Sequence, residues 1–257
     1  MKWGRKVQAV GRMGRLQGDC EICVVSKMIA QSKNAVRLPQ GHCFLMLRCN
    51  IWRMDNRAIY TSLKTGKRIY LRPIRPQDSL RIRDTIANLS EQSRYYRFFS
   101  GMKKVPEPVL ERLVAVDGVN HLAWGALDLG EHDLPAIGVI RVVRDPESGV
   151  AELAIATLDA FHNTGLARIL MAVIICDCLQ AGIETMQANV LAENKKARAL
   201  FKTFGGVCTH SDGAYLTYTL DVAKMDALIH GVDIPEAVSD VFHAFDRFNA
   251  YKPRLAG

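Results

Sequence analysis

Ala151-Glu152-Leu153-Ala154-Ile155-Ala156, followed shortly by Phe161-His162-Asn163-Thr164-Gly165-Leu166-Ala167, decides how the chain folds. The first run is a short apolar segment of the length of a buried strand. The second is a brief loop that opens a strongly apolar helix over 166–179, which Gly182 closes. A helix apolar on most faces packs against a sheet rather than facing water. Thr185 to Leu191 reads as another strand, and Asn194 leads a second helix that stops at Gly205-Gly206. In that helix Ala197, Leu200, Phe201 and Phe204 fall at i, i+3, i+4 and i+7, the stripe of an amphipathic helix. Strand, turn, helix, strand, helix is an α/β order, and Glu152 is an acid set in an otherwise apolar strand.

The pattern extends in both directions. Upstream, Arg68-Ile69-Tyr70-Leu71-Arg72 alternates as a strand does until Pro73 and Pro76 stop it. Asp78 is placed to cap a helix carrying Leu80, Ile82, Ile86 and Leu89. Ser90 begins a short second helix, and 106–116 reads as a third. Strands are expected at 121–129 and 136–143, with Asp145-Pro146-Glu147-Ser148-Gly149 as the turn into the Glu152 strand. Downstream, Ser211-Asp212-Gly213 joins two strands in a hairpin. Residues 222–250 read as one or two helices interrupted at Gly231 and Pro235. Regular structure is thus expected from about Arg68. That divides the chain into a basic leader (1–67), an α/β domain (68–221) and a helical C-terminal extension (222–257).

Composition narrows the function. The chain of 257 residues carries a net charge of +8. Residues 1–68 hold 14 Lys+Arg against 3 Asp+Glu, or +11, and the remainder holds 20 against 23, or −3. The basic balance therefore lies in the leading segment. The mildly acidic remainder suits an amine substrate better than a nucleic-acid backbone. The longest apolar run, 169–176, is far short of the roughly 20 residues that span a bilayer, so no membrane partner is expected. Residues 1–53 admit three readings: a poorly ordered tail or upstream extension with Met54 as an alternative start, a metal module, or a targeting peptide. The metal reading rests on Cys20-x-x-Cys23 with His42, Cys43 and Cys49. Seven cysteines, an odd number, and no apolar-cored secretory signal point to a reducing cytoplasm.

Read from the residues alone, Gly165 permits a close backbone approach at the tip of a helix whose first N–H groups point outward, a place for a phosphate. The plainer reading is a simple turn, with Asn194 a simple N-cap. Glu152 is either a working base or the partner of an arginine such as Arg141, since a buried acid is costly unless employed.

His162-x-x-Gly165-x-Ala167 resembles the Gln/Arg-x-x-Gly-x-Gly/Ala turn of the GCN5-related N-acetyltransferase (GNAT) superfamily, and the run from Asn194 to Gly205 resembles its second cofactor helix. Leu71-Arg72-Pro73-Ile74-Arg75-Pro76-x-Asp78 and Leu89-Ser90-x-x-Ser93-Arg94-Tyr95-Tyr96-Arg97-Phe98-Phe99 are similar to the acetyltransferase domain of bacterial protein lysine acetyltransferases that modify acyl-CoA synthetases. Arg141 to Glu152 is likewise similar, and the likeness covers about 68–220.

The resemblance implies a central twisted mixed sheet flanked by helices and acetyl-CoA as co-substrate, with no metal. It places the diphosphate on His162, Asn163, Thr164, Gly165, Leu166 and Ala167, and the pantetheine arm on Ala154, Ile155 and Ala156, with Asn194 as a further contact. Glu152 would be the general base for a protein lysine, the resemblance pointing to an acyl-CoA synthetase as the acceptor, with His121 as the alternative base. The position that carries a proton-donating tyrosine in many members is Phe201 here, which leaves Tyr215 and Tyr218 as candidates. A small-molecule amine acetyltransferase and a catalytically silent acyl-CoA sensor are the alternative functions. The family's large regulatory domains have no place in 67 leading residues.

Overall fold

The computed structural model describes residues 57–100, 104–231 and 234–250. The cysteines and His42 of the metal reading, and the rest of 1–56, lie outside the described residues.

Among the described residues eight strands form one sheet: β1 (Ile59–Ser62), β2 (Arg68–Pro73), β3 (His121–Asp128), β4 (Ala136–Arg144), β5 (Ala151–Thr157), β6 (Thr185–Leu191), β7 (Val207–Ser211) and β8 (Tyr215–Asp221). Their order is β1-β2-β3-β4-β5-β6-β8-β7. Every neighbouring pair is antiparallel except β5 and β6, which are parallel. A parallel pair needs a crossover connection, and the apolar helix α4 (Leu166–Ala181) supplies it. The other described helices are α1 (Ser79–Ala87), α2 (Glu91–Phe98), α3 (Glu107–Val114), α5 (Lys195–Thr203), α6 (Val222–Ile229) and α7 (Glu236–Ala250). The mixed α/β architecture matches the sequence reading.

Among the described residues, regular structure starts at Ile59, ahead of the Arg68 at which alternation becomes legible. Strand β1 has only four residues, too few to show a period, yet Ile59 and Thr61 are buried and Tyr60 and Ser62 exposed. Part of the expected leader is therefore sheet. It is tied down by Arg57, whose guanidinium pairs with Asp177 inside α4. Asp177 also accepts 2.7 Å from Trp124 Nε1, so the buried carboxylate is satisfied on both oxygens.

Helix α4 packs on β3 and β4 on one side and on α6 and α7 on the other. That double covering accounts for its apolar character all round: Ile169 through Ile175 are all buried. The terminal helices share this core through Val222, Met225, Val241 and Phe245. They are an integral layer, not an appendage.

The opposite face of β2–β5 carries a smaller cluster, in which α1, α2 and α3 bring Ile82, Ile86, Phe98, Leu110 and Val114 over Ile74 and Ala123. Asp78 occupies the N-cap position of α1, but its side chain makes no cap bond there. Its carboxylate takes both Arg72 Nη atoms at 2.7 Å, Arg81 at 2.9 Å and the Arg75 N–H at 2.8 Å. Burial acts to raise the Asp78 pKa, but these donors outweigh it and the net shift is downward. Leu80, expected on the apolar stripe, is 62% exposed, because α1 turns only Ile82, Thr85 and Ile86 inward.

Candidate active site

Strands β5 and β6 run together only at Ala151↔Met186 and Glu152↔Gln187. Beyond Glu152 they part, while β5 stays paired with β4 along its whole length. The backbone of β5 from Leu153 onward thus has an edge with no ladder partner on the β6 side. Ala154, Ile155 and Ala156 are half-buried along that edge. Such a cleft offers main-chain hydrogen bonds to an extended ligand.

At the far end of β5 a 3-10 turn, Asp159–Phe161, leads to His162, Asn163, Thr164 and Gly165. Asn163 (φ 62°) and Gly165 (φ 91°) are both left-handed, the conformation that glycine and asparagine tolerate best. A Cβ on Gly165 would meet Lys64 Cγ at 3.4 Å, an ordinary contact, so it is the left-handed conformation rather than lack of space that favours glycine. Gly165 is the N-cap of α4, and the first intrahelical bond runs from Ile169 N to its carbonyl at 3.1 Å. The N–H groups of Leu166, Ala167 and Arg168 therefore have no partner within the helix. Ala167 is half-buried at this tip, whereas the Leu166 side chain is fully buried in the core and offers only its backbone.

Two lysines flank this turn, and neither was evident from sequence. The Lys64 N–H, from the β1–β2 turn, donates to the Thr164 carbonyl at 3.1 Å. Lys196, from the first turn of α5, lies 3.0 Å from His162 Nδ1. That contact brings the start of α5, with Asn194, to the turn at 162–165. Asn194 is also an ordinary N-cap, accepting from the Ala197 N–H at 3.1 Å. Asp159 ties the turn to α2 by accepting from Ser90 N, Ser90 Oγ and Ser93 Oγ at 3.1, 3.0 and 2.8 Å. The loop thus holds the helix that overhangs β5.

Glu152 stands where β5 and β6 part, on the face away from α4, and is half-buried. Its Oε1 lies 3.3 Å from Asn189 Nδ2. Side chains directly opposite on paired strands share a face. Gln187 and Asn189 on β6 and Thr217 and Thr219 on β8 therefore continue the Glu152 face. They are exposed or half-exposed, so the floor running outward from Glu152 is polar and open. Tyr215, 41% exposed, closes one end of it, its ring edge-on to Phe99 from the end of α2 at 5.4 Å.

Other candidates are spoken for. His121 lies on the same face, across β4 from Glu152. Its Nδ1 is 2.9 Å from the Ala115 carbonyl and its Nε2 is 3.3 Å from Arg141 Nη1. A carbonyl only accepts and a guanidinium only donates, so the ring is the neutral Nδ1–H tautomer. Burial, then the charge of Arg141, pushes its pKa down to about 4. Its lone pair is engaged by Arg141, which makes it a structural histidine. Arg141 itself also donates to the Leu113 carbonyl at 3.2 Å. Phe201 and Tyr218 pack 6.0 Å apart in the core, 3% and 1% exposed, because both turn towards the α4 face. Of the two tyrosines only Tyr215 borders the polar floor.

Between α1–α3 and the sheet lies a cleft of about 620 Å³, its open mouth included, reaching Val139 and Ala156. Its walls are mainly apolar, and its charged groups are Arg72, Arg81, Arg97 and Arg141 with Asp78. It is neither an acidic groove nor an aromatic cage. Among the described residues no cluster of His, Cys, Asp and Glu could hold a metal ion, and no helix is long and apolar enough to cross a membrane.

Residues 87–205 match the family model described as Acetyltransferase (GNAT) family. The acetyltransferase Pat of Mycolicibacterium smegmatis is 28% identical over 187 residues, 71% of this chain and 54% of the relative. The chain thus spans about half the length of that protein. Acetyltransferase PA5475 of Pseudomonas aeruginosa is 30% identical over 146 residues, 57% of this chain and 78% of the relative. Among solved structures, the GNAT domain of S. lividans PAT superposes with a TM-score of 0.60 at 25% identity, covering 65% of this chain and 98% of that one.

Proposed function

The chain belongs to the acetyltransferase (GNAT) family, and from that premise we propose that it moves an acetyl group from acetyl-CoA to the side-chain amine of a protein lysine, with Glu152 as the base. The observation that carries this reading is the place of Glu152: at the fork of β5 and β6, with an unpaired strand edge on one side and an open polar floor on the other.

The residues fit the co-substrate. The left-handed turn at Gly165 and the N–H groups of Leu166 and Ala167 suit a diphosphate, with His162, Asn163 and Thr164 shaping the loop. Lys64 and Lys196 add positive charge beside it, and Asn194 heads the helix that faces it. The free edge at Ala154, Ile155 and Ala156 suits the amides of a pantetheine arm. Bound there, acetyl-CoA would supply the activated acyl thioester.

A lysine amine, with a pKa near 10.4, is almost fully protonated at neutral pH. A carboxylate at the fork can take that proton, directly or through one water, and so free the nitrogen lone pair for attack. The protein acceptor is supported by the openness of the floor formed by Gln187, Asn189, Thr217 and Thr219, on which an extended segment could lie. The relatives named Pat agree with that reading, and an acyl-CoA synthetase is the acceptor that the family resemblance suggests. The arginine-walled cleft supports a second reading, a small amine that carries a carboxylate.

The test is transfer of labelled acetyl groups from acetyl-CoA to a protein lysate and, separately, to a panel of free amino acids and polyamines. Label on protein lysine supports the first reading, and label on small amines alone supports the second. No transfer despite measurable acetyl-CoA binding would leave a silent sensor. Glu152→Gln is expected to lower turnover about 10²–10⁴-fold with acetyl-CoA affinity nearly unchanged. Undiminished turnover in that variant removes Glu152 as base.

A further inference from the structure

Glu152 does not stand alone at the fork. Asn189 Nδ2 lies 3.3 Å from its Oε1, and Thr217 Oγ lies 2.9 Å from Asn189 Oδ1. Asn189 and Thr217 are register partners on β6 and β8, so the strand ladder sets their separation. The chain Thr217–Asn189–Glu152 thus crosses three strands on one face.

The direction of these bonds follows from their chemistry. An ionised carboxylate only accepts, so the Asn189 atom facing it must be the amide nitrogen. The amide oxygen then turns to β8, where it needs a donor, and the Thr217 hydroxyl is the group there. A reversed amide would set its oxygen against the carboxylate. Thr217 therefore selects the amide orientation that serves Glu152.

We propose that Asn189 is a positioning residue for Glu152, held in its working orientation by Thr217, and that the pair keeps the carboxylate ionised and aimed into the fork. The inference rests on the reading of Glu152 as base. A hydrogen bond donated to the charged form of an acid favours that form. It also engages Oε1. Parting of the strands exposes Glu152, and the first β6 side chain past the last paired position on that face returns to hold it. Among the described residues, the other titratable or charged groups around this face are Arg141 on β4, neutral His121 on β3, Tyr215 on β8 and Arg97 from α2. None of these is altered by changes at Asn189 or Thr217.

The test needs no acceptor. The side-chain carboxyl ¹³C resonance of Glu152 is assigned by its loss in Glu152→Gln and titrated in the intact chain and in Asn189→Ala, Asn189→Asp, Thr217→Val and Thr217→Ser. The midpoint is expected to rise by about half to one pH unit in Asn189→Ala. It should rise further in Asn189→Asp, where a second carboxylate faces the first. It should rise in part in Thr217→Val, which is close in shape but cannot donate, and return in Thr217→Ser. Where a transfer assay is in hand, the acid limb of kcat/KM should move upward by the same amounts. Coincident midpoints in the intact chain, Asn189→Ala and Thr217→Val overturn the inference. Should Asn189→Ala fold poorly, the near-isosteric Thr217→Val and its serine counterpart decide alone. The two readings fail separately: an active Glu152→Gln removes the base, whereas an inactive Glu152→Gln with unmoved midpoints removes only the positioning role.

Discussion

The two faces of the sheet are built on different terms. Towards α4, α6 and α7, residue after residue is fully buried, and the buried charge, Asp177, is bonded on both oxygens. Towards α1–α3 the cluster is small, a cleft enters it, and arginines and a carboxylate line the walls. Beyond β5 that second face is polar and open. One face supplies stability, which leaves the other able to carry polar groups that a well-packed core would exclude. Glu152 belongs to the second face although its strand neighbours Ala151 and Leu153 belong to the first.

Substitutions on the two sides can break this contrast. The largest effect is expected from Asp177→Ala, which leaves the Arg57 guanidinium without its carboxylate and the Trp124 N–H unsatisfied. Removing one partner of a buried pair costs about 3–5 kcal/mol, to be read from the shift in denaturant midpoint. A loss under 1 kcal/mol would mean that Arg57 does not anchor β1 in solution.

Next comes a matched pair. Leu170→Ala, at a fully buried position in α4, is expected to lose about 2–5 kcal/mol. Thr219→Ala on the open floor gives up a 3.0 Å contact with Thr209 and should change stability by no more than about 0.5 kcal/mol. Equal losses at the two sites would show that the open face is covered by something in solution.

The last effect is confined to acid. The His121 pKa is lowered in the folded state to about 4, below its ordinary value of about 6.5. The unfolded chain therefore binds the proton first. The contribution is complete above about pH 6.5 and is lost as pH falls from there to about 4. His121→Gln should flatten the stability profile within that window and leave it unchanged in slope above it. A profile identical to that of the intact chain would show that His121 does not titrate in this way.

Much of this was legible in the chain. The strand–helix–strand order around α4, the amphipathic α5 and the hairpin of β7 and β8 follow from periodicity and turn residues that act over a few positions. Gly165 was legible for the same reason, since its requirement is local. Strand β1 was not, because four residues cannot display a period and its burial depends on Arg57 meeting a helix more than a hundred positions away. Asp78 was misread as a simple cap because the arginines that claim it converge from β2 and α1. Lys64 and Lys196 are ordinary surface lysines until the fold sets them on either side of one turn.

By itself the sequence determined the α/β order, the glycine turn and the single acid in an apolar strand, since local sterics and hydrophobic period settle these. Only the tertiary structure decided that β5 and β6 part just beyond Glu152, that His121 is held neutral by burial and then by Arg141, and that Asn189 and Thr217 reach the carboxylate. Those facts depend on strand register, and register is a property of pairs of distant segments rather than of any one of them.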